Sequence, residues 1–267
     1  IAAKAHYLDI TGEIDVFEAA RLHDADAKAA GVVICPGAAF DLVPTDCIAL
    51  MLKKALPEAI ELSLGFDMSG VKMSAGTAKT FVEGLGKPCK VRRGGELADF
   101  PVGKGLRRID FGRGEKLAMP IPWGDVATAY YTTGIPNITA YAPVSPVMAA
   151  MARLTAPLAP LFVSRGVQNW LKSWVEKNIG GPSEAEREMS RSWIWGEASD
   201  GRGRRLVIRI HTLNGYSLTV FCALAIAKYV LTHDCPPGFW TPAGLMGEDF
   251  ILTLPGTSML TSPQQAG

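Results

Sequence analysis

Hydrophobic and polar positions follow two periods in the first 57 residues. The short apolar runs at 6–10 and 32–35 predict buried strands, and the patterns at 14–30 and 44–55 predict helices. Gly31 follows the first of these helices, where glycine commonly ends a helix. The order strand, helix, strand, helix is typical of a parallel sheet.

The pattern changes near Pro57, where a second segment begins. Strands are expected at 60–68, in KVRRGGEL and LRRIDFG, at 137–143, and in a hairpin whose turn is at 200–203. Helices are expected at 75–85, at 124–134, twice within 145–179, and at 216–231, with a polar connection at 181–188. We therefore predict an α/β fold with a parallel-sheet segment at 1–57, an α+β domain with a mixed or mainly antiparallel sheet at 58–255, and a disordered tail at 256–267.

Composition excludes some classes of partner. The 267 residues are 48% hydrophobic and 20% charged, with a net charge of +1, so the net charge gives no reason to expect nucleic acid or an acidic surface as a partner. Five scattered cysteines without a CxxC predict reduced thiols and a cytoplasmic protein. Four histidines form no zinc pattern, so no metal site is expected.

Two apolar runs raise the question of a membrane. Residues 144–163 contain Arg153 and two internal prolines, Pro157 and Pro160, and residues 216–231 are shorter than the ~20 residues that span a bilayer. Buried helices are the expected outcome, and membrane association is the less favoured alternative. A docking surface at 146–174, with Trp170 and Trp174, stays open.

Polar side chains follow the first strand of the parallel segment. Asp9, Thr11 and Glu13 come at or after its end, where they could face a ligand crevice, and Gly12 lies among them. The alternative is a simple turn in which Thr11 or Asp15 caps the next helix.

The second strand also runs into a polar turn. Gly37 permits close backbone approach, Phe40 could supply a flat wall, and Asp41 and Asp46 are carboxylates at a helix start. The alternative is again helix capping, by Thr45 or Asp46, with Pro44 in the first turn.

A third candidate is Trp123 beside Asp125, which could line a pocket, although a tryptophan here more often packs in the core. The chain contains no GxSxG, HExxH, Walker or GxGxxG motif. A cysteine nucleophile at Cys35 or Cys47 is a weak further hypothesis, because no histidine is nearby in sequence.

Four blocks carry a resemblance to a known family: HYLDITGE (6–13), CPGAAFDLVPTD (35–46), PWGDVATAYYTTGIPN (122–137) and GFWTPAGLMGEDF (238–250). They resemble the saccharopine dehydrogenase-like oxidoreductases, in the branch that includes the trans-acting enoyl reductases. The resemblance implies the C-terminal part of a Rossmann-like sheet, then a substrate domain that often forms a homodimer. It implies hydride transfer between NADP or NAD and a small organic substrate.

The resemblance also assigns residues. It places Asp9, Thr11, Gly12, Glu13, Pro36, Gly37 and Phe40 near the cofactor. Tyr7, Asp41 and Asp46 are the candidates for a catalytic proton donor.

The family's glycine-rich phosphate loop would precede residue 6, and we expect it in a segment upstream of Ile1. The competing hypothesis is a truncated, non-catalytic binding or scaffold protein that is dimeric or lipid-associated.

Overall fold

The structure is a computed structural model that describes residues 1–68, 74–86, 88–155, 162, 164–181 and 183–265. The strands are β1 Tyr7–Leu8, β2 Val33–Cys35, β3 Glu61–Asp67, β4 Cys89–Arg93, β5 Glu96–Phe100, β6 Arg107–Asp110, β7 Glu115–Ile121, β8 Asn137–Pro143, β9 Arg191–Ser199, β10 Arg205–Leu213, β11 Gly238–Phe239 and β12 Ser258–Gln265. The helices are α1 Ile14–Leu22, α2 Asp24–Ala30, α3 Val43–Ala55, α4 Ala75–Gly84, α5 Asp125–Thr133, α6 Pro146–Thr155, α7 Arg165–Asn178, α8 Glu184–Met189, α9 Gly215–Thr232 and α10 Pro242–Met246, followed by a 3-10 helix at Glu248–Thr253.

The fold is α/β, with two sheets in the described part of the chain. A three-stranded parallel sheet has the order β1-β2-β11, so β2 lies between the first strand and one that comes from near the end of the chain. The first segment of the chain therefore does not complete its own sheet. Phe239 of β11 pairs with Ile34 of β2.

The second sheet has nine strands among the described residues. Its main path is β12-β10-β9-β3-β8-β4-β5, and the β6–β7 hairpin joins it through β8. Strands β3 and β8 are parallel, and the other pairs are antiparallel, so the sheet is mixed, as the sequence predicts. The Asp200–Arg204 turn joins β9 to β10 at the place of the predicted hairpin.

Helix α3 connects the two sheets. Nine of its thirteen residues are buried, and one hydrophobic core contains Val33 of β2, Ile48 of α3 and Ile194 of β9. Gly196 of β9 makes this contact close, because a Cβ built there would lie 2.3 Å from Cγ2 of Ile48. The core is continuous across residue 57, where the sequence places a domain boundary.

The predicted helix at 14–30 is two helices that break at His23. The break places Asp24 at the start of α2, where its Oδ1 accepts the N–H of Phe239 at 2.9 Å and its Oδ2 accepts Lys28 Nζ at 2.8 Å. The partner on β11 is distant in sequence, so local periodicity does not reveal the break.

Two further expectations need correction, and the sequence prediction also omits an element. The tail was expected to be disordered, but Ser258–Gln265 form strand β12, because β10 offers an edge that pairs with it. The connection at 181–188 contains most of the short helix α8, and β7 was not predicted. Residues 156–161 and 163 of the predicted helical region, residue 182 of the connection, and residues 266–267 of the tail lie outside the described residues.

The apolar run at 216–231 is helical, but the prediction that it is buried is wrong for one face. Leu218, Cys222 and Ile226 pack in the core, while Leu224 is 65% and Leu231 78% exposed. This helix, α9, is the one described helix that is long and apolar enough to cross a bilayer by length and composition. Length and composition do not tell how many faces of a helix are covered.

Candidate functional site

The carboxyl ends of β1 and β2 are held together by Asp9. Its Oδ1 accepts the backbone N–H of Gly37 at 2.8 Å and that of Thr11 at 3.0 Å. Its backbone carbonyl accepts the N–H of Ala38 at 2.8 Å. The loops at 9–13 and 36–41 therefore form one unit at the edge of a parallel sheet, where α/β proteins commonly bind ligands.

Tyr7 lies at the rim of this unit. Its side chain is 47% exposed, and its hydroxyl donates to Oδ2 of Asp9 at 2.7 Å. That hydrogen bond to the Asp9 carboxylate raises the pKa of Tyr7, because the phenol is stabilised in its neutral form. Tyr7 therefore keeps its proton more firmly than a free tyrosine.

The loop after β1, residues 9–13, forms a turn and also contributes residues to the candidate site. Thr11 Oγ1 accepts the N–H of Glu13 at 3.2 Å. Glu13 precedes α1 as its N-cap residue without a capping side-chain bond, so neither Thr11 nor Asp15 caps the helix. Glu13 points its charge to solvent, and Gly12 lies against Asp41.

The loop after β2 is buried from Pro36 to Phe40. Gly37 has φ +74, and a Cβ there would lie 2.2 Å from Cδ1 of Leu42, so glycine is required for both conformation and space. Phe40 is 4% exposed and packs edge-on against Phe66, with 5.9 Å between the ring centroids. It is a core side chain, not the exposed flat wall that the sequence suggests.

Asp41 is the partly exposed carboxyl of the site. Burial raises its pKa to about 6. Its backbone carbonyl accepts Nε1 of Trp123 at 2.7 Å, and Trp123 packs on Phe66 with 4.7 Å between the ring centroids. A Cβ added to Gly12 would lie 2.9 Å from Oδ2 of Asp41. A carboxyl that titrates near pH 6 can give or take a proton near neutral pH.

Asp46 is fully buried in the first turn of α3, and both of its oxygens have partners. Oδ1 accepts the hydroxyl of Thr132 on α5 at 2.5 Å, and Oδ2 accepts the N–H of Ala243 on α10 at 2.8 Å. Burial raises its pKa, and these hydrogen bonds oppose that rise. The position ties three helices together, so Asp46 has the geometry of a structural residue.

Asp125 begins α5 and is also fully buried. Neither carboxyl oxygen has a partner at good hydrogen-bond geometry among the described residues. The nearby hydroxyl of Thr45 donates to the carbonyl of Leu42 at 3.0 Å, and its proximity opposes the rise in the pKa of Asp125. Burial raises the pKa of Asp125 well above its usual value, and the nearby charges of Asp46 and Asp41 raise it further. Burial therefore favours the neutral form of this carboxyl.

Most of the residues proposed from sequence come together. The hydrogen bonds of Asp9 join the first loop to the second, and Trp123 brings the third candidate stretch to Asp41. Sequence reasoning missed the partners of Asp46, although Thr241-Pro242 is a recognisable helix start next to one of them. Phe66 was also missed, because it lies within an ordinary strand pattern.

The cysteines do not form a nucleophilic site. Cys35 and Cys47 are fully buried, and burial raises both thiol pKa values, which disfavours the reactive thiolate. Among the described residues, no group of three histidine, cysteine or acidic side chains could hold a metal ion.

No protein-family model matches the chain, and no curated protein sequence matches it.

Proposed function

We propose that this chain carries the nicotinamide end of an NAD(P)-linked oxidoreductase site of the saccharopine dehydrogenase-like type. The observation that carries the proposal is the junction of the loops at 9–13 and 36–41, clamped by Asp9 at the carboxyl edge of the parallel sheet. A crevice at this edge is the usual ligand position in α/β folds. We propose in addition that the three-stranded sheet β1-β2-β11 is part of a Rossmann-like sheet.

The residues present fit one part of the cofactor. A Cβ at position 12 would lie 2.9 Å from Oδ2 of Asp41. Glycine therefore leaves a space beside this carboxyl that a larger residue would fill. Thr11 and Gly12 would lie beside the nicotinamide end, while the buried Gly37 would fix Asp9 through its N–H. The sequence contains no GxGxxG to hold the pyrophosphate. When bound, the nicotinamide supplies the hydride chemistry.

Asp41 is the residue we assign to the proton. Its pKa of about 6 leaves a part of the molecules protonated near neutral pH, and it is the one of the three candidate donors that is neither fully buried nor at the exposed rim. Tyr7 would hold Asp9 in place through its hydroxyl and would act as a positioning residue. Asp46 would support the helix that carries this loop.

The test uses a probe that contains only the part of the cofactor assigned to this chain. Reduced nicotinamide mononucleotide, NADH and NADPH are each mixed with the protein, and saturation-transfer NMR detects contact with the nicotinamide protons. We expect transfer to all three, because the adenylate part is not required for the assigned contacts.

The matched variants are Gly12→Val, which fills the space beside Asp41, and Gly84→Val, at the end of α4, where a Cβ would meet no atom within 4 Å. Transfer should be lost in the first variant and kept in the second, with far-UV circular dichroism showing that both are folded. Absence of transfer to every probe would remove the oxidoreductase proposal and leave the non-catalytic binding protein as the better hypothesis.

A further inference from the structure

Two helices outside the candidate site expose apolar side chains in a regular pattern. We define the apolar helical surface by six of them, which come from α6 and α7: Val147, Met148, Met151, Leu154, Trp170 and Trp174. Isolated exposed apolar residues are normal in proteins, whereas several on one face of a helix indicate a docking surface.

Helix α7 has two apolar faces, of which one is packed and the other is exposed. Val175, with Leu171 beside it, packs against Ala78 and Val82 of α4. Trp170 and Trp174, four residues apart and therefore on one side of the helix, are 66% and 52% exposed. The second face is turned away from the protein's own core.

Helix α6 repeats this arrangement. Val147, Met148, Met151 and Leu154 follow the spacing of one helical face, and each is more than half exposed. Ala149, on the opposite side, is buried. The sequence that joins α6 to α7, residues 156–163, contains no charged residue.

The charges of this region are mostly positive. Residues 144–180 contain four basic side chains, Arg153, Arg165, Lys172 and Lys177, and one acidic side chain, Glu176. Glu176 is paired with Lys79 of α4, which neutralises it. Lys177 is seven residues from Trp170 and so shares its face.

Exposed tryptophan beside lysine is the composition of a helix that lies in the headgroup region of a bilayer. Indole rings favour the membrane–water interface, and the lysine stem can follow apolar surface while its charge meets lipid phosphates. A second copy of the same positive surface would meet like charge, whereas anionic lipid offers the opposite charge. The charge therefore favours lipid over self-association.

We propose that α6 and α7 seat the protein on an anionic membrane surface, with Trp170 and Trp174 in the headgroup layer. This proposal does not depend on the cofactor site, and each can fail without the other.

The test is sedimentation of the protein with vesicles of phosphatidylcholine, with and without phosphatidylserine. The wild-type protein should bind the phosphatidylserine vesicles, and added salt should weaken that binding because it screens the attraction. The double variant Trp170→Ser/Trp174→Ser should need at least ~10-fold more lipid for half-saturation, and Lys177→Glu should also weaken binding, by about tenfold.

The matched control is Leu22→Ser, which removes an apolar side chain that is 82% exposed on α1. This control should bind as the wild type does, and circular dichroism should show all variants folded. Absence of binding to phosphatidylserine vesicles at low salt would overturn the proposal. Equal binding by the double variant and the control would also overturn it. So would light scattering that shows a wild-type dimer that the double variant disrupts, if no vesicle binding is seen.

Discussion

Replacement of Asp41 by asparagine tests the electrostatics on which the candidate site depends. The asparagine side chain has nearly the shape of a protonated carboxyl and carries no charge. Burial raises the pKa of Asp41 from 3.8 to about 6, so the folded protein holds this proton more firmly than the unfolded chain does. Asp41→Asn removes that difference and leaves the neighbouring carboxyls in place.

The size of the effect follows from the shift. A difference of roughly two pKa units corresponds to about 3 kcal/mol, since each unit is worth about 1.36 kcal/mol. Because the folded-state pKa is the higher one, this contribution to stability is fully present below about pH 4 and is lost as the pH rises through about 6. Wild-type stability should therefore fall by about 3 kcal/mol relative to Asp41→Asn between about pH 4 and pH 7.

The measurement is urea unfolding of both proteins at several pH values across this range, followed by circular dichroism. The difference between the two unfolding free energies cancels the contributions of carboxyls that do not interact with Asp41. Asp125 does interact with it, because the charge of Asp41 raises the pKa of Asp125, so the measured difference includes that coupling. Asp15→Asn, in the exposed first turn of α1, is the matched control and should leave the wild-type pH dependence in place.

Parallel pH profiles for the wild type and Asp41→Asn would refute the reasoning. They would mean that Asp41 ionises in the folded protein as it does in water. In that case, the carboxyl could not hold a proton near neutral pH, and the assignment of Asp41 as proton donor would fall with it.

Three other predictions can be checked with the same purified protein. Gly37→Ala should lower the unfolding free energy by about 3 kcal/mol in urea titration, because the backbone has φ +74 and the new Cβ would collide with Leu42. The control Gly31→Ala has a similar φ of +69 but no atom within 4 Å of the new Cβ, so it should lose only about 1 kcal/mol. Equal losses in the two variants would show that the collision with Leu42 is unimportant. Asp46→Ala should cost about 2 kcal/mol in the same titration, since it leaves the N–H of Ala243 buried without an acceptor, and an unchanged midpoint would contradict the tie between α3 and α10. Ellman's reagent should modify one thiol, that of the partly exposed Cys235, in the folded protein and five after unfolding; rapid reaction of more thiols would contradict the burial of the other four.

Local pattern was enough for much of the fold. The hairpin between β9 and β10 is encoded by Asp200-Gly201 between two apolar runs, and α3 is encoded by its apolar positions after Pro44. Alternation at 60–68 likewise predicted β3. These features depend on residues that are neighbours in sequence, so a single chain reveals them.

Part of the candidate site could be predicted for a similar reason. Polar residues that follow two parallel strands must end at the same edge of the sheet, which brings Asp9 near Gly37. Which carboxyl remains reachable was not predictable, because burial depends on what packs from elsewhere. Thr132 and Ala243 enclose Asp46, whereas Asp41 keeps partial exposure beside Gly12 and Trp123.

The turn CPGAAFDLVPTD was visible in the sequence as a connection from strand to helix, with its glycine, its proline and two carboxyls. Only the tertiary structure shows that Asp46 is a buried structural carboxyl that links helices, whereas Asp41 is a titratable group. Only the tertiary structure shows that the sheet is completed by β11, from near the end of the chain. The same holds for the apolar helix α9, whose composition predicts burial while its packing leaves one face exposed. The physical reason is common to all three: solvent exposure is set by contacts between residues that are distant in sequence, and local periodicity carries no record of them.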